Sequence, residues 1–358
     1  VHAARDFPRK LPLPESSTAG HQVRLEPSGH AFSVAPGETV LEAALRQGIG
    51  LPYGCRNGAC GACKGILRSG ELAYGEYQER ALHDAERAAG KALTCCTKPL
   101  TDIVFEVREL AGAKDLAIRT LPARIEKVEK PAEDVAVLNL KLPTGERLQF
   151  LAGQYIDILM KDGKRRSFSM ANAPHDDAYL QLHVRKSPGG AFSRYVFEEM
   201  KERAIVRFEG PLGTFYLRED SDKPIIFVAG GTGFAPIKAQ IEHLMHHGDD
   251  RPVVLYWGVR SLRDLYMPDL PIRWQQEHPS FTYIPVLSDP LPEDRWQGRT
   301  GFVHQAVLDD FDDLSGYQVY ACGAPGMTDI AKETFGKRGL PEDEFYCDAF
   351  TPSVDPKK

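Results

Sequence analysis

Nowhere does the 358-residue chain approach the ~18–20 consecutive apolar residues of a membrane helix, so no transmembrane segment is expected. Residues 1–20 are polar and carry prolines, without the apolar stretch of a secretory signal. They read as a leader with little structure of their own, and a cytoplasmic location is the expectation. Internal repeats and low-complexity tracts are absent. Basic charge is not in surplus: 44 Lys and Arg against 50 Asp and Glu leave a net −6, which argues against a nucleic-acid partner. Seven cysteines are an odd number, and without an export signal they do not make a secreted disulfide framework.

What is present is an ordinary globular composition, 42% apolar and 26% charged, which excludes a mainly disordered chain. The length exceeds the ~250–300 residues at which a single core stops growing, so two or three domains are expected. Charge is uneven in the same sense. Residues 220–358 hold 13 Lys and Arg against 22 Asp and Glu, whereas residues 111–219 hold 18 against 15. Separate modules account for that better than one continuous domain.

Patterning supports three modules. Alternating runs QVRLE and HAFSV flank Pro27-Ser28-Gly29 as a hairpin, and Thr39 to Gln47 has helical spacing and ends before Gly48. Strands follow at Lys64–Arg68 and Ile103–Val107, with a helix expected over 78–92. After a linker near 110–118, VAVLNLKL, GQYIDILM, YLQLHVRK and AIVRFEG read as strands of an antiparallel barrel, interrupted by a helix over Ser193–Lys201. From Lys223 continuous apolar strands (IIFVA, VVLYWG, FTYIPVL, YQVYACG) alternate with helical segments, the pattern of a parallel α/β sheet.

Five of the seven cysteines fall within residues 55–96. Cys55-x4-Cys60-x2-Cys63 with a later cysteine matches the plant-type [2Fe–2S] spacing, in which four thiolates converge on two irons. Gly58 and Gly61 let backbone amides approach the sulfides. A structural zinc site is the competing reading, but zinc usually needs a second Cys-x2-Cys or a His pair, and one such pair stands here. By spacing alone Cys95 and Cys96 are equal as the fourth ligand.

On these residues, 22–107 resembles a plant-type ferredoxin domain with a β-grasp fold, and roughly 117–358 resembles a ferredoxin–NADP reductase module. Together they resemble the ferredoxin-containing flavoprotein reductases of that family, which feed electrons to oxygenases and related iron enzymes. GFVHQAVLDD, AGGTGFAP and DAFTPS resemble the branch serving dideoxysugar biosynthesis. The resemblance implies four parts: leader 1–20, [2Fe–2S] domain 21–110, FAD-binding antiparallel β-barrel 117–219, and parallel α/β nicotinamide domain 220–358. Metal ligands are then Cys55, Cys60, Cys63 and Cys95, because the family's last ligand lies four residues before a proline, here Pro99.

Arg166-Ser167-Phe168-Ser169 resembles the family's Arg-x-Tyr-Ser flavin signature, with Phe in place of Tyr. An arginine fork suits a flavin diphosphate, an aromatic ring packs on the flavin, and a hydroxyl reaches its reactive nitrogen. By resemblance Arg166 takes phosphate and Ser169 approaches that nitrogen. His183, Val184, Arg185 and Lys186 would line the ring edge, and Gly190-x-x-Ser193 would form a pyrophosphate turn with a serine cap at a helix N-terminus. FAD rather than FMN is implied by the N-terminal position of the ferredoxin domain.

Gly231, Thr232, Gly233 and Pro236 follow an apolar strand and open a helix, which suits a dinucleotide pyrophosphate. By resemblance Cys322 sits beside the nicotinamide and Phe350 covers the flavin face, so Ser169, Cys322 and Phe350 are the catalytic candidates. Arg260 with Ser261 is a candidate 2′-phosphate site, so NADPH stays open while the dideoxysugar branch favours NADH. NADH gives two electrons and a cluster takes one, and a flavin mediates between them. No mononuclear-iron ligands or pyridoxal lysine motif are present, so the final chemistry belongs to an acceptor protein, a sugar-nucleotide dehydratase or an oxygenase component. A redox-sensing iron–sulfur protein is the other class, and it would not need the flavin and nicotinamide motifs. The chain is expected to be a monomer.

Overall fold

The computed structural model of the chain describes residues 20–110 and 116–351. The expected leader, all but Gly20, lies outside the described residues, as do 111–115 of the expected linker and the final seven residues.

In the first module Val23 and Leu25 face inward from His21–Glu26, and Phe32 and Val34 from Ala31–Val34, as the alternation predicts. The five-stranded sheet runs in the order Ala31–Val34, His21–Glu26, Ile103–Glu106, Lys64–Ser69, Lys91–Leu93, with only the second and third strands parallel. The helix Val40–Arg46 lies against it through Val40, Leu41, Ala43 and Ala44. Its start is set by a capping box: Glu42 N–H donates to Thr39 Oγ1 and Thr39 N–H to the Glu42 carboxylate. This mixed sheet around one helix is the expected β-grasp. The helix expected over 78–92 is a correction. Only a 3-10 turn at Glu79–Ala81 and five helical residues, Asp84–Ala88, form there. Gly90 at φ +85° stops the turn, and Lys91–Leu93 is drawn into edge pairing with Lys64–Ile66.

The second module is an all-antiparallel six-stranded sheet in the order Arg165–Ser169, Tyr155–Leu159, Ile205–Leu212, Arg119–Ala132, Val135–Lys141, Leu180–Arg185. A bridge between Met170 and Leu182 joins its two ends, so the sheet closes as a barrel. Its interior is filled by Ile125, Leu138, Ile156, Leu182, Val184 and Phe208. The interrupting helix starts earlier than expected, at Ala191, and runs as α-helix then π-helix to Glu199.

The third module is a parallel six-stranded sheet, ordered Arg299–Thr300, Phe281–Leu287, Val253–Val259, Ile225–Gly230, Gln318–Gly323, Phe345–Ala349. Chain order reverses between Ile225–Gly230 and Gln318–Gly323, and ligands of such sheets bind beyond the strand carboxyl ends at that reversal. Helices cover both faces, giving two separate apolar cores. Among the described residues no helix is long and apolar enough to cross a membrane.

Candidate functional site

The reversal point of the third module, the flavin-motif strand of the second and the cysteine loop of the first open into one cleft. It measures about 750 Å³ and is lined by Cys55, Cys95, Ser169, Thr232, Asp348 and Phe350 among others. That volume lies within the ~300–1,000 Å³ typical of cofactor sites.

The four expected ligands stand as two pairs, Cys55 with Cys60 and Cys63 with Cys95. Cys63 Sγ lies 3.3 Å from Cys95 Sγ, while the amides of Ala59 and Cys60 donate to Cys55 Sγ at 3.3 Å. Cys55 N–H donates in turn to Cys60 Sγ at 3.4 Å. The hydrogen bond from Cys60, then those from the surrounding amides, hold the Cys55 thiol well below its usual range. Four thiols, with backbone amides donating to Cys55 and Cys60, fit a [2Fe–2S] cluster chemically. Gly58 is needed at φ +72°, and a Cβ there would meet Cys96 Sγ at 2.7 Å and Glu76 O at 2.8 Å. Cys96 Sγ sits 3.4 Å from Cys95 Sγ; Cys95 lines the cleft and Cys96 does not.

The flavin motif occupies Arg165–Ser169, paired antiparallel with Tyr155–Leu159. Strand alternation puts Arg166 and Phe168 on one face and Arg165, Ser167 and Ser169 on the other. Phe168 packs on Phe192 with centroids 5.0 Å apart. Ser167 donates to Asp157 at 2.6 Å, and Ser169, buried, donates to Asp348 at 3.5 Å. Burial, then the Cys55 charge, pushes the Asp348 carboxyl up to about 6. Asp348 reaches the cleft from the last strand, in register with Cys322, and Phe350 N–H is anchored to Gly323 O.

The ring-edge expectation is half met. His183 and Arg185 line the cleft, but Val184 points into the barrel core and Lys186 turns onto the Phe197 ring, as alternation along one strand requires. Tyr266 O–H donates to His183 Nδ1 at 2.8 Å and Nε2–H donates to Gln181, so burial holds this imidazole neutral, at about 3. Gly190 and Ser193 line the cleft, yet Gly190 rather than the serine is the N-cap. Ser193, inside the first turn, accepts from Ser187 N–H and donates to the Gly190 carbonyl.

The glycine turn is a 3-10 turn at Gly231–Gly233, and the helix Phe234–His247 starts three residues before the expected Ile237. Pro236 therefore stands third in the helix, where its missing N–H costs nothing. Gly233 backs directly onto the Cys322 carbonyl, and Gly231 O accepts from Trp257 Nε1. Cys322 is fully buried behind this turn, not in the cleft wall. Arg260 faces Asp289 at 3.6 Å, and Ser261 is buried with its hydroxyl donating to Asp264. Sequence reasoning does not find Tyr155, Asp157 and Arg165 in this cleft, and it gives Asp348 no role of its own. Tyr155 and Arg165 take their hydrogen-bond partners, Gly54 and Glu209, from distant parts of the chain, and no local spacing marks them.

Three family models match the chain in succession. They are a 2Fe-2S iron-sulfur cluster binding domain over residues 23–100, an oxidoreductase FAD-binding domain over 122–216 and an oxidoreductase NAD-binding domain over 227–333. The chain is 44% identical over 331 residues to the CDP-6-deoxy-L-threo-D-glycero-4-hexulose-3-dehydrase reductase of Yersinia pseudotuberculosis, covering 92% of this chain and 98% of that one. It is 37% identical over 339 residues to the phenol hydroxylase P5 protein of Acinetobacter pittii, with 94% and 96% covered. Among solved structures, the cytochrome P450 reductase of Amycolatopsis superposes with a TM-score of 0.77 at 36% identity, over 93% of this chain and 99% of that one.

Proposed function

The chain belongs to the ferredoxin–NADP reductase family, in the branch with an N-terminal [2Fe–2S] domain, and from that premise we propose that it is the NADH-dependent reductase of a sugar-nucleotide dehydratase. It is an NAD(P)H-dependent oxidoreductase that passes electrons through FAD and a [2Fe–2S] cluster to a separate acceptor. The observation that carries the account is the single cleft. Cys55 and Cys95 open into it along with Ser169 and Phe350, so the flavin motif and the cysteine loop border the same space.

Bound FAD would supply the conversion between the two electrons of a hydride and the single electrons a cluster takes, so that one NADH, leaving as NAD⁺ and a proton, would account for two one-electron reductions of the acceptor. The protein binds and orients. Arg166 supplies the cation for the flavin diphosphate, with Gly190 and Ser193 shaping the turn beside it. Cys55, Cys60, Cys63 and Cys95 hold the cluster. Ser169 Oγ and Asp348 Oδ2 make a proton-bearing pair facing the cleft. Phe350, 37% exposed, lines the same cleft as the flavin motif and would swing aside to admit the nicotinamide ring. Gly231, Thr232 and Gly233 receive the dinucleotide pyrophosphate.

NADH is favoured over NADPH because a 2′-phosphate beside Arg260 would meet the Asp289 carboxylate, and because the Ser261 hydroxyl is already engaged by Asp264. The dehydratase acceptor is favoured by the Yersinia relative, whose name pairs it with such an enzyme. Steady-state reduction of a purified acceptor tests both choices. A higher kcat/KM with NADH, and faster electron delivery to a sugar-nucleotide dehydratase than to an oxygenase component, is the expected result. A higher kcat/KM with NADPH removes the first choice. Preference for an oxygenase component removes the second.

A further inference from the structure

The residues on either side of Cys55 are tied to the flavin barrel. Tyr53 N–H donates to Thr214 Oγ1 at 3.0 Å, and Thr214 N–H returns a bond to Tyr53 O at 3.1 Å. The hydroxyl of Tyr155 donates to Gly54 O at 2.7 Å. Arg56, the residue after Cys55, reaches across to Glu209 Oε1 at 3.0 Å, with Asp157 Oδ2 at 3.8 Å. Arg165 shares both carboxylates, at 2.6 Å from Glu209 and 3.8 Å from Asp157. The result is two guanidiniums around two carboxylates at the seam of two modules, with the Asp157 side chain 7% exposed and that of Glu209 18%.

Two further features separate this cluster from an ordinary surface ion pair. Arg56 holds a left-handed backbone, φ +61°, where an arginine is disfavoured relative to glycine, so its side chain has a use that glycine could not meet. The same conformation belongs to the loop that carries Cys55 and Cys60 around the cleft. Other ties from the first module to the rest, such as Arg80 to Asp329 and Arg108 to Asp343, lie among more exposed groups.

We propose that Arg56, clamped by Glu209 and Asp157, is a positioning residue that latches the cysteine loop to the flavin barrel and so fixes the electron path between FAD and the cluster. This rests on the reading that electrons cross that seam within one chain. Shared carboxylates in a half-buried setting hold their geometry better than single exposed pairs, and a single fixed geometry keeps the two groups close. Arg56 touches no reacting atom. It acts by holding the segment Tyr53–Arg56 on the barrel.

The test uses the holoprotein with Arg56→Gln, Glu209→Gln and the conservative Arg56→Lys. Glu209→Gln leaves the cysteine loop's own sequence intact, so it reports on the latch even where Arg56→Gln loads cluster poorly. Anaerobic stopped-flow absorbance follows flavin bleaching and cluster bleaching by NADH as separate phases. Hydrogen exchange at the Tyr53 and Thr214 amides reports the seam without reference to activity. Both Gln variants are expected to keep the flavin phase within twofold, slow the cluster phase tenfold or more and speed exchange at those amides. Arg56→Lys is expected to recover much of the loss. Glu209→Gln with a wild-type cluster phase overturns the proposal. So does loss of cluster content in Glu209→Gln with exchange unchanged, since the network would then serve loop folding alone. A wild-type cluster that stays oxidised while the flavin is reduced defeats the underlying reading of the relay instead, and is told apart by needing no variant.

Discussion

Gly233→Ala isolates the nicotinamide site with one methyl group. The glycine has ordinary helical dihedrals, φ −59° and ψ −13°, so alanine brings no backbone strain. The added Cβ, however, would stand 2.0 Å from Cys322 O, 2.4 Å from its carbonyl carbon and 2.9 Å from Gly323 N. All three are backbone atoms of a fully buried strand, so no side chain can swing away. Relief requires the turn and the end of Gln318–Gly323 to part by roughly 1 Å, and overpacking of this kind costs about 1–3 kcal/mol. In the proposed site these two segments flank the dinucleotide, and a ~1 Å misplacement of a reacting group lowers rate about 100-fold. Gly230→Ala is the control. Its Cβ would crowd Met327 Sδ at 2.7 Å and Cε at 3.4 Å, the end of a pliable thioether that can move, and would meet Gly323 Cα at an ordinary 3.6 Å. The assay is kcat/KM for NADH-driven flavin reduction, alongside acceptor reduction by chemically pre-reduced protein, which bypasses the nicotinamide site. Gly233→Ala should lose about 100-fold in the first, equal to about 2.7 kcal/mol, and nothing in the second. Gly230→Ala should stay within a few-fold in both. Wild-type kcat/KM in Gly233→Ala, or equal losses in the two variants, would refute the argument that backbone clearance at this turn sets the nicotinamide geometry.

Arg166→Ala should weaken FAD binding by about 10–100-fold, the worth of one charge-assisted hydrogen bond, read by fluorescence titration of the apoprotein; unchanged affinity would remove Arg166 from the diphosphate site. Cys95→Ser should abolish the visible iron–sulfur spectrum and Cys96→Ser should leave it, whereas the reverse would transfer the fourth ligand to Cys96. His183→Gln should flatten the acid dependence of stability. The folded imidazole is held at about 3 by burial, below its unfolded value, so its contribution is present above the unfolded pKa and is lost as pH falls from ~6.5 toward 3, by about 1.4 kcal/mol per pH unit. Urea midpoints of wild type and variant at pH 7 and pH 5 should therefore converge on acidification, and a gap independent of pH would contradict the neutral buried assignment. Thr39→Ala should lower the stability of the first module by about 1 kcal/mol through loss of the capping box, measured by urea titration; no change would mean that the cap is dispensable.

Features with a local chemical cause are legible in the sequence alone. Cys55-x4-Cys60-x2-Cys63, the apolar strand before Gly231 and the alternation in VAVLNLKL each carry their own geometry, and the fold follows them closely. The helical spacing over 78–92 shows where local pattern yields, since pairing with Lys64–Ile66 outcompetes it at Lys91–Leu93. The strand Phe345–Ala349 leaves no such mark, because all its residues but Ala349 are only partly buried and show no alternation, yet it delivers Asp348 to Ser169. Val184 and Lys186 stand in one run with His183, whereas a strand presents every second residue to one side. The seam of Arg56, Asp157, Arg165 and Glu209 joins residues more than a hundred positions apart, and nothing in one sequence marks that meeting.

The most direct measurement of the relay is anaerobic addition of NADH, below one equivalent, to the purified holoprotein, with the flavin followed by absorbance and the cluster by low-temperature EPR. Electron transfer across the shared cleft predicts that a reduced-cluster signal appears along with loss of oxidised flavin, in a preparation containing acid-labile sulfide. Flavin reduction with a cluster that remains oxidised, or a preparation without labile sulfide, would contradict it.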